Sequence, residues 1–152
     1  MRTWTQRVLG QVSRPERYAE TLIESQGVPI VLSLWRSGTA GEAVRRGTVV
    51  FVPGTMMHPL FYADALEAVS DAGWHVVGVH PQGHGKSPRV ARTLRWATVV
   101  ANVVDAARAT RAHVQGPVLL MGSSQGALVA LLAAADVGPT VTDGVLVHNL
   151  FD

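Results

Sequence analysis

The 152-residue sequence contains no cysteine. Disulfides, thiolate nucleophiles and cysteine-based metal sites are therefore excluded. Lysine is nearly missing as well: Lys86 is the one lysine among 13 basic residues, the rest being arginine. Net charge is only +2, too small to imply a polyanionic partner. Its one basic cluster is Lys86, Arg89, Arg92 and Arg95, spaced by three as along the side of a helix start. No aromatic residues interleave with it as a stacking platform for single strands needs. The cluster is read as a solvated face and no nucleic-acid contact is expected. No apolar leader core follows Met1, and no run approaches the length of a membrane span. With cysteine also absent, a cytoplasmic location without stable membrane insertion is expected. No His, Asp and Glu grouping has metal-ligand spacing, so neither metal nor cofactor is expected.

What is present is apolar material, 47% of the chain, enough for the core of a single domain. Residues 1–20 read as a polar arm and residues 21–152 as the folded part. Thr21 to Glu24 and Val28 to Arg36 read as strands joined by a Ser25-Gln26-Gly27 turn. Thr48 to Val52 is a continuous apolar run, as in a strand buried on both faces. A helix is expected from Pro59 to Ala72, with Phe61, Ala65, Leu66 and Val69 inward. Pro59 suits a first helical position and Gly73 the position just past the end. His75 to Val79 reads as a strand. A helix from about Arg92 to Ala112 follows, its apolar stripe running from Trp96 through Val99, Val100, Val103 and Val104 to Ala107. Pro117 to Met121 and Asp143 to His148 are further strands, with an apolar helix starting at Ala127. That helix is greasy nearly all round and is expected to be central. Strands alternating with helices specify an α/β fold with right-handed crossovers and a mostly parallel sheet.

Gly122-Ser123-Ser124-Gln125-Gly126 lies between the fifth of these strands and that apolar helix. A G-x-S-x-G pentapeptide in this setting is a nucleophile elbow, which lifts Ser124 off the end of the sheet. Its glycines leave room where a Cβ would meet the strand or the helix. Acyl transfer needs two amide donors facing the oxygen that becomes negative. Gln125, at the positive end of its helix, and Thr55, in the loop after Val52, are the candidates. Both loops belong to the carboxyl ends of parallel strands, where α/β sites assemble.

The chain resembles the α/β-hydrolase superfamily from about Thr21 to Leu150. It is most similar to the serine aminopeptidase-like, lysophospholipase-like and monoacylglycerol-lipase-like branch. Three segments carry the resemblance. Val49-Val50-Phe51-Val52-Pro53-Gly54-Thr55 matches the strand that ends in His-Gly, with Pro53 in the histidine place. Gly78 to Ser87 matches an Asp-x-Arg-Gly-His-Gly-x-Ser loop, with His80 in the aspartate place and Gln82 in the arginine place. The elbow matches without substitution. The resemblance implies a mostly parallel sheet with an antiparallel amino-terminal hairpin, helices on both faces, and a fold truncated after its sixth strand. It implies a serine hydrolase acting on ester, lipid or amide bonds through an acyl-enzyme on Ser124. Gly83 to Ser87 also ends like a phosphate loop, but that pattern needs glycine at position 80, which is His80.

A serine hydroxyl needs a base. In the family the histidine and the acid lie beyond a sixth strand, so the expectation is that this chain lacks its catalytic histidine. A missing carboxyl-terminal half would supply it. Asp152 is the candidate acid. His58 and His148 lie near the active end but read as packing or surface residues. Met56, Met57 and Phe61 follow the oxyanion loop and are the candidate substrate-binding residues, for an acyl ester or lipid. The competing expectation is a non-catalytic, hydrolase-like binding or interaction domain with Ser124 inert.

Overall fold

A computed structural model describes residues 12–38, 46–90 and 94–149. Six strands form one sheet: β1 (Tyr18–Ser25), β2 (Val28–Trp35), β3 (Gly47–Val52), β4 (Trp74–Val79), β5 (Val118–Ser123) and β6 (Gly144–His148). Their order is β1-β2-β4-β3-β5-β6. β1 and β2 pair antiparallel, as do β2 and β4. The other three neighbours, β4 with β3, β3 with β5 and β5 with β6, are parallel. Three α-helices follow strands of the sheet: α1 (Ala63–Asp71), α2 (Trp96–His113) and α3 (Gln125–Val137). Among the described residues no helix is long and apolar enough to cross a membrane.

The period-2 alternation of the strands divides the core in two. Val50, Val52, Val77, Val79, Val118 and Leu120 point toward α2 and α3. Phe51 and Val76 point the other way, onto Leu60 and onto Ala63 and Leu66 of α1. Helices thus cover both faces, and β3, buried along all six residues, runs through the middle. The β1–β2 connection is a two-residue turn with Gln26 at φ 53° and Gly27 at φ 73°. Positive φ at both positions matches the right-handed twist of the flanking strands.

Four expectations change. β1 begins at Tyr18, so the last three residues of the expected arm are in the sheet. Tyr18 pairs with Trp35 and packs edge-to-face on it, ring centroids 5.1 Å apart. Pro59–Tyr62 is a 3-10 turn and α1 starts only at Ala63. A 3-10 turn advances each residue farther around the axis than an α-helix does. Phe61 and Ala65 are consequently exposed, while Ala63, Leu66, Glu67 and Ser70 are buried. α2 begins at Trp96 rather than Arg92, with Arg95 as its cap, so the basic cluster does not line a helix start. Arg92 lies outside the described residues. Trp96 is exposed rather than part of the buried stripe, because that stripe is carried by Val103, Val104 and Ala107. Finally, α3 is not enclosed: Gly126, Ala127, Val129, Ala130 and Ala133 face the sheet and α2, while Leu128, Leu131 and Leu132 are exposed.

Candidate active site

The elbow is built by close backbone approach. A Cβ on Gly122 would stand 2.2 Å from the Gly126 carbonyl oxygen, and one on Gly126 would stand 2.4 Å from the carbonyl oxygens of Val52 and Pro53. Neither position tolerates a side chain, so α3 is pressed against the end of β3. Between these glycines Ser124 adopts φ 53°, ψ −127°, a conformation that costs an L-residue ~1–3 kcal/mol and marks functional turns. Two bonds hold it: the Ser124 N–H donates to the His148 carbonyl at 2.8 Å, and the Ser124 carbonyl accepts from the Ala127 N–H at 2.9 Å. Ser124 is exposed.

The loop after β3 comes to the same place. A Cβ built on Gly54 would lie 3.5 Å from the Ser124 Cβ. The Gly54 carbonyl accepts from the Met57 N–H at 3.1 Å, closing a tight turn in which Met56 has φ 57°. The Gly54 N–H donates to the Tyr62 hydroxyl at 3.3 Å. Thr55 and Gln125 both line a cavity of about 250 Å³, walled by Pro81, Trp96, Val99 and Val129. As the first residue of α3, Gln125 has no intrahelical acceptor for its N–H.

The loop after β4 supplies another wall. Asn102 of α2 accepts from the Gln82 N–H at 2.8 Å through its carbonyl oxygen and donates to the Ser25 hydroxyl at 2.8 Å. Ser87 donates to the His80 carbonyl at 2.6 Å and accepts from the Val31 N–H at 2.9 Å. His80, fully buried, accepts the Lys86 N–H at Nδ1 (3.2 Å), which leaves Nε2 to donate to the Ser33 hydroxyl at 2.8 Å. Ser33 in turn meets the Tyr18 hydroxyl at 2.7 Å, and Tyr18 donates to Glu20 at 2.5 Å. Lys86 caps the chain by pairing with Glu20. This chain satisfies an imidazole where the resembling loop carries an aspartate. Burial holds His80 down at about 4, with His58 adding to the effect and Glu20 opposing it. Burial likewise pushes the Tyr18 hydroxyl upward and lowers His58. The Lys86 ammonium and the Tyr18 hydroxyl hold the Glu20 carboxyl below its usual range against the opposing effect of burial. His58 is 6% exposed, stacks on His80 with centroids 5.7 Å apart, and leaves Nδ1 without a partner. A Cβ on Gly85, at φ 54°, would collide with both imidazoles.

The sequence candidates are therefore only partly gathered. Ser124, Gly54, Thr55 and Gln125 come together. Met56, 81% exposed, lines an adjoining cavity of about 300 Å³ with Gln82, His84 and Arg89. Phe61 packs tilted against His58, ring centroids 4.3 Å apart. Met57 is half-buried in the turn. The His148 ring reaches the Ser123 hydroxyl at 3.3 Å, and among the described residues no histidine ring is hydrogen-bonded to the Ser124 hydroxyl. Asp152 lies outside the described residues. Among the described residues no three His, Asp or Glu groups gather to hold a metal. Sequence reasoning missed the His80–Ser33–Tyr18 chain; the signal was His80 standing where an acid is usual.

A six-stranded sheet of this order, with a strained serine between strand and helix at its carboxyl end, defines an α/β-hydrolase. The family model described as serine aminopeptidase, S33, matches residues 43–151, and the chain belongs to that family. Solved structures share the fold. A soluble variant of monoglyceride lipase from Saccharomyces cerevisiae, in complex with a substrate analog, is 15% identical with a TM-score of 0.73, over 84% of this chain and 43% of that one. Est1E from Butyrivibrio proteoclasticus, with ferulic acid bound, is 19% identical with a TM-score of 0.72, over 82% of this chain and 50% of that one. A thioesterase domain from the curacin biosynthetic pathway is 24% identical with a TM-score of 0.67, over 82% of this chain and 41% of that one. The chain thus spans half or less of the length of these structures. No curated protein matches it in sequence.

Proposed function

We propose that this chain is the nucleophile-bearing part of a serine hydrolase that cleaves ester or lipid bonds through an acyl-enzyme on Ser124. The observation that carries the reading is the strained, exposed Ser124 with Gly54 packed beside it. In this mechanism the Ser124 Oγ attacks the carbonyl carbon while a base takes its proton. The amides of Thr55 and Gln125 hold the oxyanion, each worth ~3–4 kcal/mol of transition-state stabilisation. Collapse of the tetrahedral intermediate expels the alcohol, and water then hydrolyses the acyl-serine. The base and the acid come from outside the described residues, with Asp152 the candidate acid. The monoglyceride lipase among the fold neighbours agrees with this chemistry.

The second reading, a binding domain with an inert serine, draws on one observation: the His148 ring engages the Ser123 hydroxyl and not that of Ser124. A fluorophosphonate probe separates the two. Labelling of the chain, or of the chain extended through its downstream codons, that disappears in Ser124→Ala supports the hydrolase. Absence of labelling from both products supports the binding domain and overturns the proposal.

A further inference from the structure

The cavity beside Ser124 says which acyl groups the site takes, an inference that rests on the acyl-transfer reading. Thr55 and Gln125, the residues of the proposed oxyanion amides, are among its lining residues, so a carbonyl held by them has one substituent beside or within it. The walls within are apolar: Trp96 and Val99 of α2, Val129 of α3 and Pro81 of the β4 loop. The volume is about 250 Å³, whereas a cavity of about 150 Å³ accepts a benzene ring. It therefore has room for a ring with two or three further carbons, or a straight chain of about eight.

Charge points the same way. No Asp or Glu is among the described residues lining this cavity or the adjoining one, which shares His84 and Leu94 with it and contains Arg89. Trp96 and Gln125 are also the first residues of α2 and α3. Two helix amino termini, each carrying a partial positive charge, thus converge on one small apolar space. A protonated amine entering it would lose its hydration, meet two positive dipole ends and find no carboxylate. An ester carbonyl, with its negative oxygen end, suffers none of this.

We propose that the site accepts neutral, compact apolar acyl groups, aromatic or up to about eight carbons, and rejects substrates whose acyl part carries a free amino group. The family's aminopeptidase description does not extend to this chain's substrate.

The test is the rate of Ser124 labelling by alkyl fluorophosphonates, in which the group on phosphorus takes the place of the acyl chain. Expected are an octyl probe at least about tenfold faster than an ethyl probe, no further gain at sixteen carbons, and an aminohexyl probe at least about tenfold slower than its hexyl counterpart. Val99→Phe, which fills the cavity, lowers the octyl-to-ethyl ratio. Trp96→Ala, an exposed position that the fold does not need, raises the hexadecyl-to-octyl ratio. Equal rates for amine and neutral probes, or ratios unmoved by both variants, overturn the inference and leave the hydrolase reading standing. Chain-length selection that follows the leaving alcohol of neutral esters, not the acyl part, also overturns it. Failure of every probe to label either the chain or the chain extended through its downstream codons overturns the hydrolase reading and this inference with it.

Discussion

Lowering the pH should unfold this protein through His80 before its carboxylates respond. In the unfolded chain this imidazole protonates near 6.5, whereas burial in the native state holds it neutral down to about 4. The folded pKa lies below the unfolded one, so the contribution is complete above ~6.5 and is lost as pH falls toward ~4. At ~1.4 kcal/mol for each unit of difference, the interval is worth ~3 kcal/mol in full, of which ~2 kcal/mol is gone between about pH 7.5 and about pH 5. The structural reason is specific. Nδ1 already accepts the Lys86 N–H, so a proton there breaks that bond and leaves a cation beside His58 and near the Lys86 ammonium. Ser33 at Nε2 carries no charge, and Glu20 is reached only through Ser33 and Tyr18. His58, lowered chiefly by burial, adds to the same slope. Glu20, Asp71 and Asp143 are all held below their ordinary range, so their losses begin only as pH falls into the ordinary carboxylate range, under the interval from about pH 7.5 to about pH 5. The assay is urea unfolding at a series of pH values, with wild type beside His80→Gln, whose amide nitrogen still reaches Ser33. Wild type should lose ~2 kcal/mol over the stated range and the variant clearly less. Parallel curves for the two proteins would refute the reasoning.

Other outcomes follow from the same contacts. Ser124→Gly relieves the φ 53° strain, and should raise the urea midpoint by ~1 kcal/mol equivalent while abolishing fluorophosphonate labelling. Gly126→Ala places a methyl 2.4 Å from two carbonyl oxygens of β3 and its loop, and calorimetry should show a loss of ~3 kcal/mol or no folded protein. Tyr62→Phe removes the acceptor of the Gly54 N–H, and should cost ~1 kcal/mol and slow labelling of Ser124. Asp143→Asn weakens the hold on the Val118 N–H and on Arg111, so its melting temperature should fall.

β3 was legible because burial on both faces writes it as an unbroken apolar run, and it is found within one residue of its expected start. The elbow was legible because steric necessity fixes Gly122 and Gly126, and the contacts on both glycines are backbone contacts that no side chain could relieve. The start of α1 was not, since Pro59 opens a 3-10 turn as readily as an α-helix and the choice rests on tertiary packing. The outer face of α3 misled for a related reason. Leu128, Leu131 and Leu132 carry the same apolar signal as the inward residues, and composition alone does not say which side is covered. The His80 chain was invisible because its members, Tyr18, Glu20, Ser33 and Lys86, come from three separate segments and meet only when β1 pairs with β2.

Ser124, the proposed nucleophile, is suspended from the edge of the sheet. Its amide hangs on the His148 carbonyl, and β6, which carries that carbonyl, has a neighbour on one side only among the described strands. Any element that zips onto the free side of β6 has a mechanical grip on the pitch of Ser124. Between that margin and Ser124 stands a single backbone hydrogen bond, with no part of the core in between.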